Sequence, residues 1–209
     1  MPDFRGLLSD ALWDISLVDF LGVVGTLSGP SPFERLATHL NAGNAEHAAT
    51  VTSFAEAYRQ EARGAADFGA REGLSIIFEM GRRHGQSPPE KFAESESLEG
   101  QIAGLIAGVL MSRDHRTQLP MLHVMTCIHA NIRLNRARQF KPNDFYDFNH
   151  AAAALPYCDA LLTERSLADL TKRTNTALAK TYACRVTADL DEAVSIVQQL
   201  AVNSGVPVL

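Results

Sequence analysis

Cysteine is scarce in this chain and follows no pattern: Cys127, Cys158 and Cys184 are the three present, none in a Cys-x-x-Cys spacing. An odd number without a framework excludes a disulfide scaffold and points to a reducing compartment, read here as the cytoplasm. Long apolar runs are missing too. The longest, Ile102 to Met111, is about half of what crosses a bilayer, so no membrane span is expected. The opening MPDFRGLLSD has no basic stretch leading into an apolar one, so no signal peptide is read there. Glycine-rich loops of the GxxxxGKS or GxGxxG kind are absent, which removes the common phosphate cradles. The single tryptophan, Trp13, fits helix packing. What remains is a globular composition: 209 residues, 46% hydrophobic and 21% charged, enough to bury a sizeable core.

Charge is unevenly distributed. The net charge is −5, but residues 1–120 carry −6, residues 121–185 carry +4 and residues 186–209 carry −3. The basic block holds Arg133, Arg136, Arg138, Lys141, Arg165, Lys172, Arg173, Lys180 and Arg185. A local positive field on an acidic protein attracts polyanions such as nucleic acid, although the same pattern also describes a solvated helix face.

Hydrophobic periodicity divides the chain in two. In residues 1–118 the pattern is helical: a helix over Leu7–Val24, then one opened by Ser31 and Pro32 and broken at Asn41–Asn44. A further helix is expected over Ala48–Phe68, with Val51, Phe54, Ala55 and Tyr58 on one face, continued by Leu74–Met80 and closed by Gly85–Pro89. Glu90–Gly100 reads as a loop or first turn. A buried helix follows through Ile102, Leu105, Ile106, Val109 and Leu110, its Gly104 and Gly108 allowing a close helix crossing.

Residues 119–209 read as α/β. Pro120 opens a helix with Leu122, Met125, Ile128, Ile132 and Leu134 inward, and Lys141–Asp144 stops and restarts the chain. A helix over Phe145–Leu155 leads to a strand over Asp159–Thr163, a helix from Ser166, a strand over Tyr182–Thr187 and a closing helix over Leu190–Val202. That last helix is expected to face inward through Leu190, Ala193, Val194, Val197 and Leu200. Strand, helix, strand, helix implies a small parallel sheet. The expected fold is therefore helix-rich α/β, a largely α-helical N-terminal part joined to a small parallel sheet in one compact unit.

The stretch Asn143-Asp-Phe-Tyr-Asp-Phe-Asn-His150 carries the candidate chemistry. Asp144, Asp147 and His150 recur every three residues and so lie near one helix face, while the next strand delivers Thr163 and Glu164 to its C-terminal end. Ligands of open α/β sheets usually bind at that edge. Carboxylates meeting there suit a hard divalent cation, Mg²⁺ above all.

Asp147, His150, the alanine run 151–154, Cys158-Asp159 and Thr163-Glu164 together resemble the C-terminal half of a PIN-like nuclease domain, over residues 119–200. The resemblance implies a metal-dependent endoribonuclease with Mg²⁺ or Mn²⁺ held by Asp147, Glu164 and Asp144, and with RNA as substrate. The late-helix acid of the family corresponds to Asp147, or to Asp144 one turn earlier. The acid after the strand corresponds to Glu164, although the family places it where this chain has Arg165. The family's opening strand, which ends in Asp, has no counterpart in residues 1–30; the chain is then either diverged or lacking that strand. A mid-domain acid is to be sought among Glu46, Glu56, Glu61 and Glu79.

Each residue also has a plainer role. Asp144 suits a helix cap, Asp147 a solvated helix position, and His150 a backbone hydrogen bond that orients the helix. Asp159 suits pairing with Arg133 or Arg138. Arg133, Arg136, Arg138 and Lys141 are the expected RNA contacts. His123 and Cys127, four residues apart, with Cys158 later, suit zinc spacing but fall short of four ligands and fit a core better. A non-catalytic nucleic-acid-binding module and a helical interaction protein, with a second copy or an antitoxin-like protein as partner, are the competing functions.

Overall fold

A computed structural model describes residues 32–85 and 92–203, without the side chains of residues 77 and 92–97. The expected helix over Leu7–Val24 and the Ser31 cap lie outside the described residues. Helix α1 spans Pro32–Glu46, with proline opening its first turn. It does not break at Asn41–Asn44. Asn41 instead binds the distant backbone of Phe140 in both directions, its Nδ2 donating to the carbonyl at 2.9 Å and its Oδ1 accepting from the N–H at 2.8 Å. Those bonds hold the polar residue inside the helix.

A short 3-10 turn, Ala48–Thr50, precedes α2, which runs unbroken from Phe54 to Arg83. Its start is later than the periodicity suggests, because Ser53 caps it: the Ser53 hydroxyl accepts from the Glu56 N–H, and Glu56 accepts from Thr52. Ala57, Ala62, Ala66 and Ala70 are fully enclosed, so the small-residue face lets the next two helices approach closely, while Ala55 is exposed. Gly69 is the tight point, where an added Cβ would meet Leu122 at 3.2 Å.

Helix α3, Phe92–Met111, begins inside the segment read as a loop. It is less buried than expected: Leu110 is enclosed, but Leu105 is 71% exposed, and no atom lies within 4 Å of where Gly104 and Gly108 would carry a Cβ. The close crossing therefore falls at Gly69 of α2, not at those glycines.

After a second 3-10 turn, Arg116–Gln118, α4 (Pro120–Leu134) is buried almost all round, through Val124, Cys127, Ile128 and Ile132 and also His123, Thr126 and Asn131. Helix α5, Asp144–Tyr157, seats Phe148 and Leu155 against it. The two strands are short. β1 (Ala160–Leu162) and β2 (Arg185–Thr187) pair in parallel, with Ala160 opposite Arg185 and Leu162 opposite Thr187. Between them run α6 (Arg165–Lys172) and α7 (Leu178–Thr181), so part of the stretch read as the second strand is a turn, with Ala183 at φ 53°. Helix α8, Leu190–Asn203, closes the chain. Its expected inward face is reversed in part: Ile196 is buried, whereas Leu190, Val194 and Val197 are half exposed or more. The molecule is thus helix-rich α/β with a two-stranded parallel sheet among the described residues. No helix among those residues is long and apolar enough to cross a membrane.

Candidate functional site

The C-terminal edge of the sheet is built by two chain reversals. Thr163 leaves β1 with its N–H bonded to the Thr187 carbonyl at 3.0 Å, and Glu164 then opens α6. The Ser166 hydroxyl donates to Glu164 Oε1 at 2.7 Å and steadies that carboxylate at the surface. From the other side, α5 supplies Asp147 in its first turn.

Asp147 is perturbed by its surroundings. Asp147 titrates above the ordinary carboxylate range, first because burial disfavours its charge, then because Glu164 and Asp144 repel it; nearby His150 opposes the rise. A first-turn carboxylate ordinarily benefits from the helix dipole, so repulsion and partial burial outweigh that benefit here. The Asp147 carboxylate accepts no hydrogen bond among the described residues. Asp147 and Glu164, distant along the chain, therefore share one edge.

Asp144 has a different setting. It is buried at the start of α5, where Oδ2 accepts from the Lys141 N–H at 2.9 Å and Oδ1 lies 3.3 Å from Arg138. The sequence offered it as a cap or a metal ligand; its oxygens in fact bind the preceding turn and an arginine. Asn143, at the cap position, makes no side-chain cap bond. His150 is exposed one turn beyond Asp147.

Half of the expected RNA-binding row is turned inward. Arg133 donates to Glu61 at 2.9 Å across the α2–α4 interface, with both side chains mostly covered. Arg138 pairs with Asp144 and lies over the Phe148 ring. Arg136 donates to the Ala48 carbonyl at 2.8 Å while remaining exposed, and Lys141 is exposed in the turn before α5. Asp159 consequently pairs with neither Arg133 nor Arg138; it lends its carbonyl to the Arg185 N–H. Arginines near a helix end read as phosphate ligands in sequence, but folding places acids opposite two of them.

The four N-terminal glutamates have other partners or stay in solvent. Glu61 serves Arg133 and stands 3.8 Å from His129, Glu56 serves the α2 cap, and Glu79 pairs with Arg82 and Arg83. Glu46 is exposed in the last turn of α1. None of them is among the charges that shift Asp147.

His129 is the residue the sequence reading passed over. It sits on the same face of α4 as Arg133, four residues away, and packs against Phe140 and Phe148, and burial holds its pKa below the usual histidine range. That shared face was the available signal. The zinc pattern resolves into core. His123 Nδ1 bonds the Tyr182 hydroxyl at 2.8 Å with its pKa lowered to about 4 by burial, and burial pushes the Cys127 thiol up to about 12. Cys158 is exposed at the end of α5.

Among the described residues, no three His, Cys, Asp or Glu side chains are grouped as a metal cage. The open pair Asp147 and Glu164 nevertheless offers only oxygen donors, which fits a hard divalent cation. Compared with models of protein families, with curated proteins and with solved structures, the chain matches none.

Proposed function

We propose that this chain is a PIN-like, metal-dependent RNA-cleaving module whose acids are Asp147 and Glu164. The observation that carries the reading is the mutual repulsion of these carboxylates at the C-terminal edge of a parallel sheet. Two like charges held together without a donor for Asp147 favour a cation between them. A bound Mg²⁺ or Mn²⁺ would supply a water of lowered pKa and stabilise charge developing on a phosphodiester. The remaining work falls to the chain itself. Ser166 orients Glu164, the Arg138–Asp144 pair fixes the turn that leads into Asp147, and exposed Lys141 in that turn is the expected phosphate contact. His150, next to Asp147, is placed to exchange protons with solvent.

The test is cleavage of a single-stranded RNA oligomer in Mg²⁺ or Mn²⁺, repeated with Asp147→Asn and Glu164→Gln. Metal-dependent cleavage lost in both variants is the expected result. Equal cleavage by the parent and Asp147→Asn, or none by the parent, overturns the catalytic reading.

A second reading has one observation in its favour: with Asp144 held by Arg138, the open site contains two acids and no third. A nucleic-acid-binding module without catalysis fits that donor set, and it predicts salt-dependent RNA binding that is indifferent to EDTA.

A further inference from the structure

The basic block foreseen in the sequence has a second half, and its setting differs from that of the inward-turned arginines. A pocket of about 510 Å³ opens between α6, α7, β2 and α8, and Lys172, Lys180 and Arg185 all line it. Arg185 opens β2, level with Ala160, so the pocket's guanidinium sits at the end of the sheet away from Glu164. The pocket and the acid pair are two places in the molecule.

Charge in the pocket is unbalanced. Lys172 and Lys180 have no carboxylate within ion-pair distance among the described residues. Arg185 is tethered by a neutral group, Nη1 donating to Gln199 Oε1 at 3.0 Å, which leaves its charge uncompensated but its fork oriented. The one acid on the wall, Glu192, accepts from the Thr187 hydroxyl instead of from either lysine. Three cations thus face one concavity on a protein whose overall charge is negative. By contrast, Arg133 and Arg138 have acids opposite them.

We infer that this pocket binds a phosphate oxyanion, with Lys172 and Lys180 as mobile point charges and Arg185 as the oriented fork. An oxyanion relieves the repulsion among the three and accepts charge-assisted hydrogen bonds from each. A cation or a neutral apolar ligand does neither. The chemistry is shared by a terminal phosphomonoester and by an internal phosphodiester of RNA, and it does not depend on the acid pair or on metal.

The experiment uses the full chain in EDTA. Inorganic phosphate, and one labelled RNA oligomer with and without a 5′-phosphate, are titrated onto the parent, onto Lys172→Gln/Lys180→Gln and onto Arg59→Gln/Arg63→Gln. The last pair removes the same charge from exposed α2 positions outside the pocket. Expected is saturable binding that weakens about tenfold or more in the pocket variant and less than about twofold in the α2 variant. A preference for the 5′-phosphorylated RNA and for inorganic phosphate assigns the monoester; equal binding of the two RNAs with little phosphate competition assigns the backbone. Equal weakening in the two variants, or no saturable binding of any probe, overturns the inference. Asp147→Asn keeps full binding, so loss of cleavage and loss of this pocket read out separately.

Discussion

Asp147 on α5 and Glu164 at the head of α6 repel one another, and the Asp147 carboxyl titrates above its ordinary range in consequence of that repulsion and its partial burial. That repulsion makes a prediction that needs no substrate. Replacing Glu164 by Gln removes one repelling charge, so the Asp147 pKa moves down toward the usual value. Carboxyl-resolved NMR titration measures it, and an unmoved Asp147 would separate the two acids.

The same repulsion has a sign in stability. The folded-state pKa of Asp147 is raised, so its favourable contribution is complete below the unfolded carboxylate value and is lost as pH rises through the folded one. At neutral pH, Asp147→Asn is expected to be more stable than the parent by about 0.5 kcal/mol, with the gap closing in acid. Urea unfolding at neutral pH and at pH near 3 checks this; a destabilised variant at neutral pH contradicts it.

His123 provides the opposite case. Its pKa is lowered to about 4 by burial, so the unfolded chain takes up a proton that the folded chain refuses. Stability from this residue is whole above the unfolded value near 6.5 and drains away as pH falls toward 4, about 3 kcal/mol over the window. His129 adds in the same direction, since burial lowers it too. A His123→Gln variant is expected to show a flatter stability profile between those limits, and parallel profiles would contradict the assignment.

Glu61 and Arg133 join α2 to α4. Removing the carboxylate by Glu61→Ala leaves a mostly covered guanidinium unpaired, with its Nε already lacking an acceptor. The expected loss is about 2–3 kcal/mol in chemical denaturation. Arg136→Ala, which removes an exposed contact to a backbone carbonyl, is expected to cost less than about 1 kcal/mol. Equal losses would mean the buried pair carries no special weight.

Ala183 holds a left-handed backbone, φ 53°, in the turn that feeds β2. Glycine adopts that region without a Cβ clash, so Ala183→Gly is expected to stabilise by about 0.5–1 kcal/mol, visible as a higher Tm. A lower Tm would show that the Cβ packs usefully.

Much of the second half was legible in advance. Two β-forming runs joined through a helix favour parallel pairing by a crossover, and β1 and β2 pair that way. Pro120 marked a real helix start and Asn143-Asp144 a real restart, whereas the helix between them already stops at Leu134, ahead of the Lys141-Pro142 signal. The acids Asp147 and Glu164 could be placed at one edge for the same reason: each follows from a neighbouring element. Asp144 was ambiguous in sequence because cap and ligand use the same carboxylate; in the structure its oxygens face the Lys141 N–H and Arg138 instead.

By itself the sequence determined the order of the main helices and strands from Pro120 onward, α7 excepted, because they depend on periodicity and punctuation within a few residues. Tertiary structure alone decided how α1 continues through Asn41, which arginines are paired with acids, and which side of α8 stays in solvent. Those outcomes rest on partners far away in the chain, Phe140 99 residues from Asn41 and Glu61 72 from Arg133. Hydrogen bonds and ion pairs of that span exist only after the helices have packed, so no local pattern announces them.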